Sequence, residues 1–79
     1  MKIRVLFFGA TADEAGTRTL DLAVDNQSNT EQAYEQVIAK FPRLSNHHLL
    51  LAVNQEYVSK DTPLKEGDEL AIFTAVSGG

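Results

Sequence analysis

The sequence predicts an α+β fold in which a mixed sheet of about four to five strands carries one helix across one of its faces. Three patterns in the 79 residues support this prediction. Apolar side chains alternate along residues 19–24, as in a half-buried strand. They recur at helical spacing along residues 30–41. The first and last apolar segments, residues 3–8 and 69–76, are rich in β-branched and aromatic residues, which favour strands.

The N-terminal part predicts a hairpin. Residues 3–8 are apolar on both parities, which favours a central strand, and Gly9 ends them. Residues 9–16 are expected to form a polar, flexible loop. Alternation begins at residue 17, with Leu20, Leu22 and Val24 on one face of the second strand.

One amphipathic helix is expected over residues 30–41. Asn29 and Gln32 have the spacing of a capping box at its start. The apolar or inward positions are Thr30, Ala33, Tyr34, Val37, Ile38 and Phe41. Pro42 cannot continue the helix and biases the preceding residue away from helical geometry, so a polar connector is expected over residues 43–48.

Three further strands complete the sheet. Residues 49–53 form a compact apolar strand that Asn54-Gln55 closes, and residues 57–58 allow only a short edge strand. Turn residues then precede the last strand, residues 69–76. With the first and last strands at its centre, the order β-β-α-β-β-β matches the β-grasp fold of ubiquitin. We therefore expect a β-grasp domain over residues 1–75 and a flexible C-terminal tail over residues 76–79.

Composition narrows the class of protein. The chain has no cysteine, which excludes disulfides and thiolate metal sites and favours a reducing cytoplasm. The net charge is −4 and the basic residues are scattered, so nucleic acid and membranes are not expected partners. The first apolar run is too short for a signal peptide or a membrane span, which predicts a soluble, unprocessed protein.

Candidate catalytic and metal-binding residues are few. His47 and His48 are adjacent, and we interpret them as a solvated loop pair, not as metal ligands. No phosphate loop, nucleophile elbow or acid–base pair is evident. The domain is expected to catalyse nothing alone.

Strand parity predicts an apolar face without cover. If Leu70 and Ile72 point under the helix, Phe73 points to the opposite face, and Phe8 follows by the same argument in the first strand. Together with Tyr57, these rings would form an apolar patch of the kind that marks protein interfaces. The alternative is a register shifted by one residue, or a bulge, that turns the rings inward.

The C-terminus carries the most specific signal. Gly78 and Gly79 lack Cβ, so they can lie extended in a narrow channel and present the terminal carboxylate to a partner's active site. Two terminal glycines occur by chance in about one chain in two hundred. Four extended residues reach roughly 13 Å, which would bring that carboxylate into a partner's pocket while the domain stays outside.

Several motifs together resemble the small subunit of molybdopterin synthase. They are Val5-Leu6-Phe7-Phe8-Gly9, Ala52-Val53-Asn54-Gln55, Asp61-Thr62-Pro63-Leu64, the segment from Gly67-Asp68 to Phe73, and Val76-Ser77-Gly78-Gly79. The thiamine sulfur carrier shares the Val-Asn turn, the Gly-Asp turn and the Gly-Gly end. The Phe-Phe opening and the Val-Ser-Gly-Gly ending favour the molybdopterin branch.

The resemblance implies a cytoplasmic sulfur carrier that binds no cofactor itself. An adenylyltransferase similar to the ubiquitin-activating class would use ATP to adenylate the Gly79 carboxylate, which then becomes a thiocarboxylate. Gly78 would thread into the large subunit, with Phe8, Tyr57, Phe73, Val76 and Ser77 binding the partner in a heterotetramer. The sulfur would pass to cyclic pyranopterin monophosphate. A thiamine-pathway carrier, a ubiquitin-like modifier and a plain interaction module remain alternatives.

Two positions depart from the family pattern. Ala12-Asp13 stands where family members tend to have Arg-Glu, so an arginine contact to the partner is missing or supplied elsewhere. Thr74-Ala75 replaces a frequent Pro-Pro and keeps two backbone N–H groups, which lets the chain stay in the sheet longer.

Overall fold

A computed structural model describes residues 1–75, so the predicted tail residues Val76, Ser77, Gly78 and Gly79 lie outside the described residues. The elements are β1 (Lys2–Phe7), α1 (Ala10–Ala15), β2 (Thr19–Ala23), α2 (Thr30–Lys40), a 3₁₀-helix (Pro42–Asn46), β3 (Leu49–Val53), β4 (Glu56–Tyr57) and β5 (Glu69–Thr74). The predicted β-grasp fold is confirmed, with a second helix that the sequence did not predict.

The five strands form one mixed sheet in the order β2-β1-β5-β3-β4. β1 and β5 are parallel, whereas the other neighbours are antiparallel. The prediction that the first and last strands occupy the centre is therefore correct. β1 ends one residue earlier than predicted, at Phe7, and the short edge strand is shifted by one residue to Glu56–Tyr57.

The core lies between the sheet and α2. Its side chains from the two central strands are Ile3, Val5, Phe7, Leu70 and Ile72, all buried. Ala33 and Val37 bring the inner face of α2 against them. The predicted strand parity is confirmed, because each of the five buried strand residues has the parity that the sequence assigned to the helix side.

The ends of α2 follow the sequence signals. Asn29 Oδ1 accepts a hydrogen bond from the Gln32 amide at 3.0 Å, and Gln32 Oε1 accepts one from the Asn29 amide at 2.9 Å. This reciprocal pair is the predicted capping box. The helix ends at Lys40, and Phe41 adopts a φ of −130° before Pro42.

The prediction of a flexible loop over residues 9–16 is wrong. Most of this segment is α1, whose Thr11 is buried, while Gly9 and Gly16 flank it with φ values of 56° and 72°. The helix has only six residues, too few to establish a helical period in the sequence. Its three alanines favour helix, and the helix is held by the buried Thr11 and by Ala12 and Ala15, which pack against the core.

The polar connector over residues 43–48 is also more ordered than predicted. It forms the 3₁₀-helix, and Leu44 enters the core. The histidine prediction is only half right, because His48 is exposed whereas His47 is half-buried, with its Nε2 atom 3.5 Å from Glu14 Oε1 of α1. Among residues 1–75, no three histidine, cysteine or acidic side chains are grouped to hold a metal ion. Neither α-helix of that range has the length and apolar character to cross a membrane.

Candidate functional site

The face of the sheet opposite α2 carries a continuous apolar row. The register pairs Leu6 with Ala71, Ala71 with Ala52, and Ala52 with Tyr57, so one residue from each of four strands lies in line. In the next row Phe73 pairs with Leu50. Paired residues share a face, and none of these side chains belongs to the core on the helix side.

The three predicted aromatic residues lie together on this open face, but they differ in exposure. Phe8 is 53% exposed and Tyr57 is 77% exposed, the two large apolar side chains that the described residues leave in solvent. Phe73 is partly buried because the Tyr57 ring lies 5.8 Å from it, between centroids, at 58°. We name Leu6, Phe8, Tyr57, Ala71 and Phe73 the open-face patch.

A groove of about 600 Å³ runs through the patch. Leu6, Phe8, Ala71 and Phe73 line it together with residues from the start of α1, and Thr74 borders it. Thr74 is the last residue of β5, so the groove adjoins the point at which the chain leaves the sheet. Sequence reasoning placed the aromatic side chains on this face but did not find that α1 contributes to the groove.

The groove is suited to binding. Glu69 is the one ionisable side chain that lines it among the described residues, so no acid–base pair faces the space. An apolar concave surface with few polar groups instead fits an apolar surface of a partner. The arrangement can therefore hold another protein close to the end of β5.

Two turns that the sequence identified separately are joined at one end of the groove. Asn54 and Gln55 both have positive φ, 51° and 73°, as a two-residue hairpin turn requires. Asn54 Nδ2 donates to Asp68 Oδ1 at 2.9 Å, and Asn54 Oδ1 accepts from the Glu69 amide at 3.0 Å. This link fixes the β3–β4 turn, with Gln55 lining the groove, against the start of β5.

Sequence reasoning missed Thr11. Its side chain has no exposed surface, and its hydroxyl lies within hydrogen-bond distance of three backbone atoms of β5 and of the chain after β1. The signal available in the sequence was a β-branched polar residue between Ala10 and Ala12 in a segment interpreted as loop. The predicted site residues Val76, Ser77, Gly78 and Gly79 are outside the range in which a geometry can be given.

The comparison with a protein-family model gives a match to the ThiS family over residues 5–79. The molybdopterin synthase sulfur carrier subunit of Escherichia coli is 40% identical over 81 residues, covering 98% of this chain and 99% of the relative. Both chains are matched over nearly their whole length.

Solved structures agree with this match in fold. The small archaeal modifier protein SAMP1 from Haloferax volcanii is 27% identical, with a TM-score of 0.89 and complete coverage of both chains. A chain in the complex of subunits 1 and 2 of the molybdopterin-converting factor from Helicobacter pylori has a TM-score of 0.71 at 22% identity, again covering all of both chains. The second likeness extends to the fold alone.

Proposed function

Because this chain belongs to the ThiS family, we propose that it is the sulfur carrier subunit of molybdopterin synthase. The observation that carries the proposal is the apolar groove beside Thr74, at the end of the strand that precedes the Gly-Gly terminus. A binding surface at the end of the last described strand suits a carrier, because the partner must hold the domain while it works on the tail.

The proposed chemistry takes place at Gly79. A carboxylate resists nucleophiles, so an adenylyltransferase first joins it to AMP, using ATP and releasing pyrophosphate. Hydrosulfide supplied by a sulfur donor then attacks the acyl carbon, the C–O bond to AMP breaks as AMP leaves, and loss of the S–H proton gives the thiocarboxylate. The carrier needs no cofactor of its own for these reaction steps. We further propose that it acts in the cytoplasm, in keeping with the absence of cysteine from its sequence.

Sulfur delivery is proposed to occur inside the large subunit of the synthase. The open-face patch would dock on that subunit, and residues 76–79, with a reach of roughly 13 Å, would place the thiocarboxylate in its active site. Gly78 fits the narrowest part of such a path because it has no side chain. Support for this partner comes from the Helicobacter pylori likeness, in which subunits 1 and 2 form a complex. We propose a heterotetramer that transfers one sulfur per carrier to cyclic pyranopterin monophosphate.

The pathway is tested in a strain that lacks the protein. We expect the precursor pterin to accumulate, and the wild-type gene to restore molybdopterin. A gene lacking the Gly79 codon should fail, whereas Gln36→Glu, which adds a charge on the exposed side of α2, should restore synthesis. Thiamine auxotrophy with normal molybdopterin would contradict the proposal and favour the thiamine-pathway alternative.

A second candidate function is protein modification, which the likeness to SAMP1 favours. A modifier would join its Gly79 carboxyl group to a lysine amine through an amide bond. Because Lys65 is the last basic residue of the chain, mass spectrometry of tryptic digests would then detect residues 66–79 as a remnant on lysines of other proteins. Remnants that disappear when Gly79 is deleted, in cells with normal molybdopterin, would replace the carrier proposal with this one.

A further inference from the structure

The parallel ladder between β1 and β5 has a defined continuation. The Arg4 amide donates to Asp68 O at 2.9 Å, and the register pairs Arg4 with Glu69 and Leu6 with Ala71. In a parallel pair, alternate residues of one strand donate to the other strand. The donating residues are therefore Arg4 and Leu6 of β1 and then Phe8, which follows the strand. By this pattern the Phe8 amide should donate to Ile72 O.

The side chain of Thr11 lies between the Phe8 amide and Ile72 O, so the two do not bond directly. The Phe8 amide donates to Thr11 Oγ1 at 2.9 Å, and Thr11 Oγ1 donates to Ile72 O at 2.7 Å. Phe8 O is a further acceptor, 3.0 Å from the same hydroxyl. One buried hydroxyl thus stands between the donor and the acceptor of the next ladder bond and satisfies both.

The inserted hydroxyl coincides with the point at which the two strands separate. Pairing ends at Phe7 and Ile72, the chain turns at Gly9 with a φ of 56°, and α1 begins. The groove then lies between Phe8 and the start of α1 on one side and Ala71 and Phe73 on the other. The spacing of Phe8 from β5 is therefore set through Thr11.

We propose that Thr11 is a positioning residue for the docking face, which it keeps open by holding Phe8 one hydroxyl away from β5. The inference rests on the proposed function, since it concerns docking on the large subunit. Without the hydroxyl, the Phe8 amide and Ile72 O lose their shared partner, and burial of unpaired groups is unfavourable. The shortest repair is a direct bond between them, which draws Phe8 against β5 and narrows the groove.

Thr11→Val and Thr11→Ser form a matched pair of variants. Valine keeps the β-branched shape and removes the hydroxyl, whereas serine keeps the hydroxyl and removes a methyl group. Isothermal titration calorimetry with the large subunit should show binding about tenfold weaker for Thr11→Val, the equivalent of one lost hydrogen bond. Thr11→Ser should bind within about twofold of the wild type.

A spectroscopic readout separates positioning from a general loss of stability. The ¹⁵N–¹H resonance of Phe8 and its amide exchange rate should change in Thr11→Val and stay close to wild type in Thr11→Ser. If Thr11→Val does not fold, Thr11→Ala replaces it as the variant that lacks the hydroxyl. Its binding and its Phe8 resonance are then compared with those of Thr11→Ser.

The outcomes distinguish the two proposals. If the wild-type chain binds and Thr11→Val binds equally well, or Thr11→Ser is as weak as Thr11→Val, the role of Thr11 is overturned while the carrier function stands. If the wild-type chain does not bind the large subunit at all, the proposed function fails, and an unchanged Phe8 resonance in Thr11→Val would separately overturn the hydroxyl link.

Discussion

Aromatic side chains on the open face differ in what they can contribute to docking. Phe8 is exposed and free to enter a partner's pocket, whereas the Tyr57 and Phe73 rings lie against each other, and of these two Phe73 is partly buried. A ring already fixed by a neighbour loses little conformational entropy when it is covered. Phe73 is thus the best placed of the three to act as a binding hot spot.

Phe73→Asp should abolish detectable docking on the large subunit, weakening it by roughly a hundredfold or more, because a charge replaces an apolar anchor. The domain should remain folded, since Phe73 lies outside the core on the helix side. Calorimetric titration measures the affinity for the large subunit, and circular dichroism shows whether the domain is folded.

Gln36→Glu is the control, with the same added charge on the exposed side of α2. It should bind like the wild type. Unfolding of Phe73→Asp would show that Phe73 is a core residue, and undiminished binding of a folded Phe73→Asp would remove the open-face patch from the interface.

Individual residues were predictable where one periodic rule decides their direction. Strand parity put Ile72 inside and Phe73 outside, and both placements are correct. The partial burial of Phe73 was not predictable, because it depends on the register that brings Tyr57 beside it across β3. Thr11 was missed for a related reason: its hydroxyl acts on Ile72, 61 residues further along the chain.

The β3–β4 turn shows how one element fixes another. Asn54 adopts a φ of 51°, which few residues other than glycine accept, and its side chain bonds both Asp68 and the Glu69 amide. These hydrogen bonds therefore hold the turn against the start of β5.

Asn54→Ala should destabilise the domain by about 1–2 kcal/mol, because it removes two hydrogen bonds and strains a left-handed residue. Asn54→Gly should cost less, since glycine accepts the positive φ and only the hydrogen bonds are lost. Urea denaturation measures both free energies of unfolding. Equal losses in the two variants would mean that backbone conformation contributes nothing at this turn.

Elements differed in how far the sequence predicted them. α2 was predicted at both ends because the capping box and Pro42 are local signals. α1 was not predicted, since a six-residue helix depends on the contacts that bury Thr11. The groove, lined partly by the start of α1, therefore required the structure.

At the level of the whole molecule, residues 1–75 form a core of their own. Among the residues that the structure describes, every member of the core cluster lies between Ile3 and Ile72, and β5 ends at Thr74. We therefore expect folding to depend on residues 1–75 and the proposed sulfur transfer on residues 76–79.

A chain shortened to residues 1–75 should unfold with a free energy within about 0.5 kcal/mol of the full chain, because it keeps the core that residues 1–75 form. The same chain should accept no sulfur. Thermal denaturation tests the first expectation and intact-mass measurement the second. A large loss of stability would place residues 76–79 in the fold, contrary to this division.

Mass spectrometry of the full chain after incubation with ATP, the adenylyltransferase and a sulfur donor tests the sulfur-carrier proposal most directly. A sulfur carrier should show a mass gain equal to the replacement of one oxygen by sulfur, localised by fragmentation to Gly79 and absent when ATP is omitted. An unchanged mass under conditions in which the Escherichia coli carrier subunit is converted would contradict it.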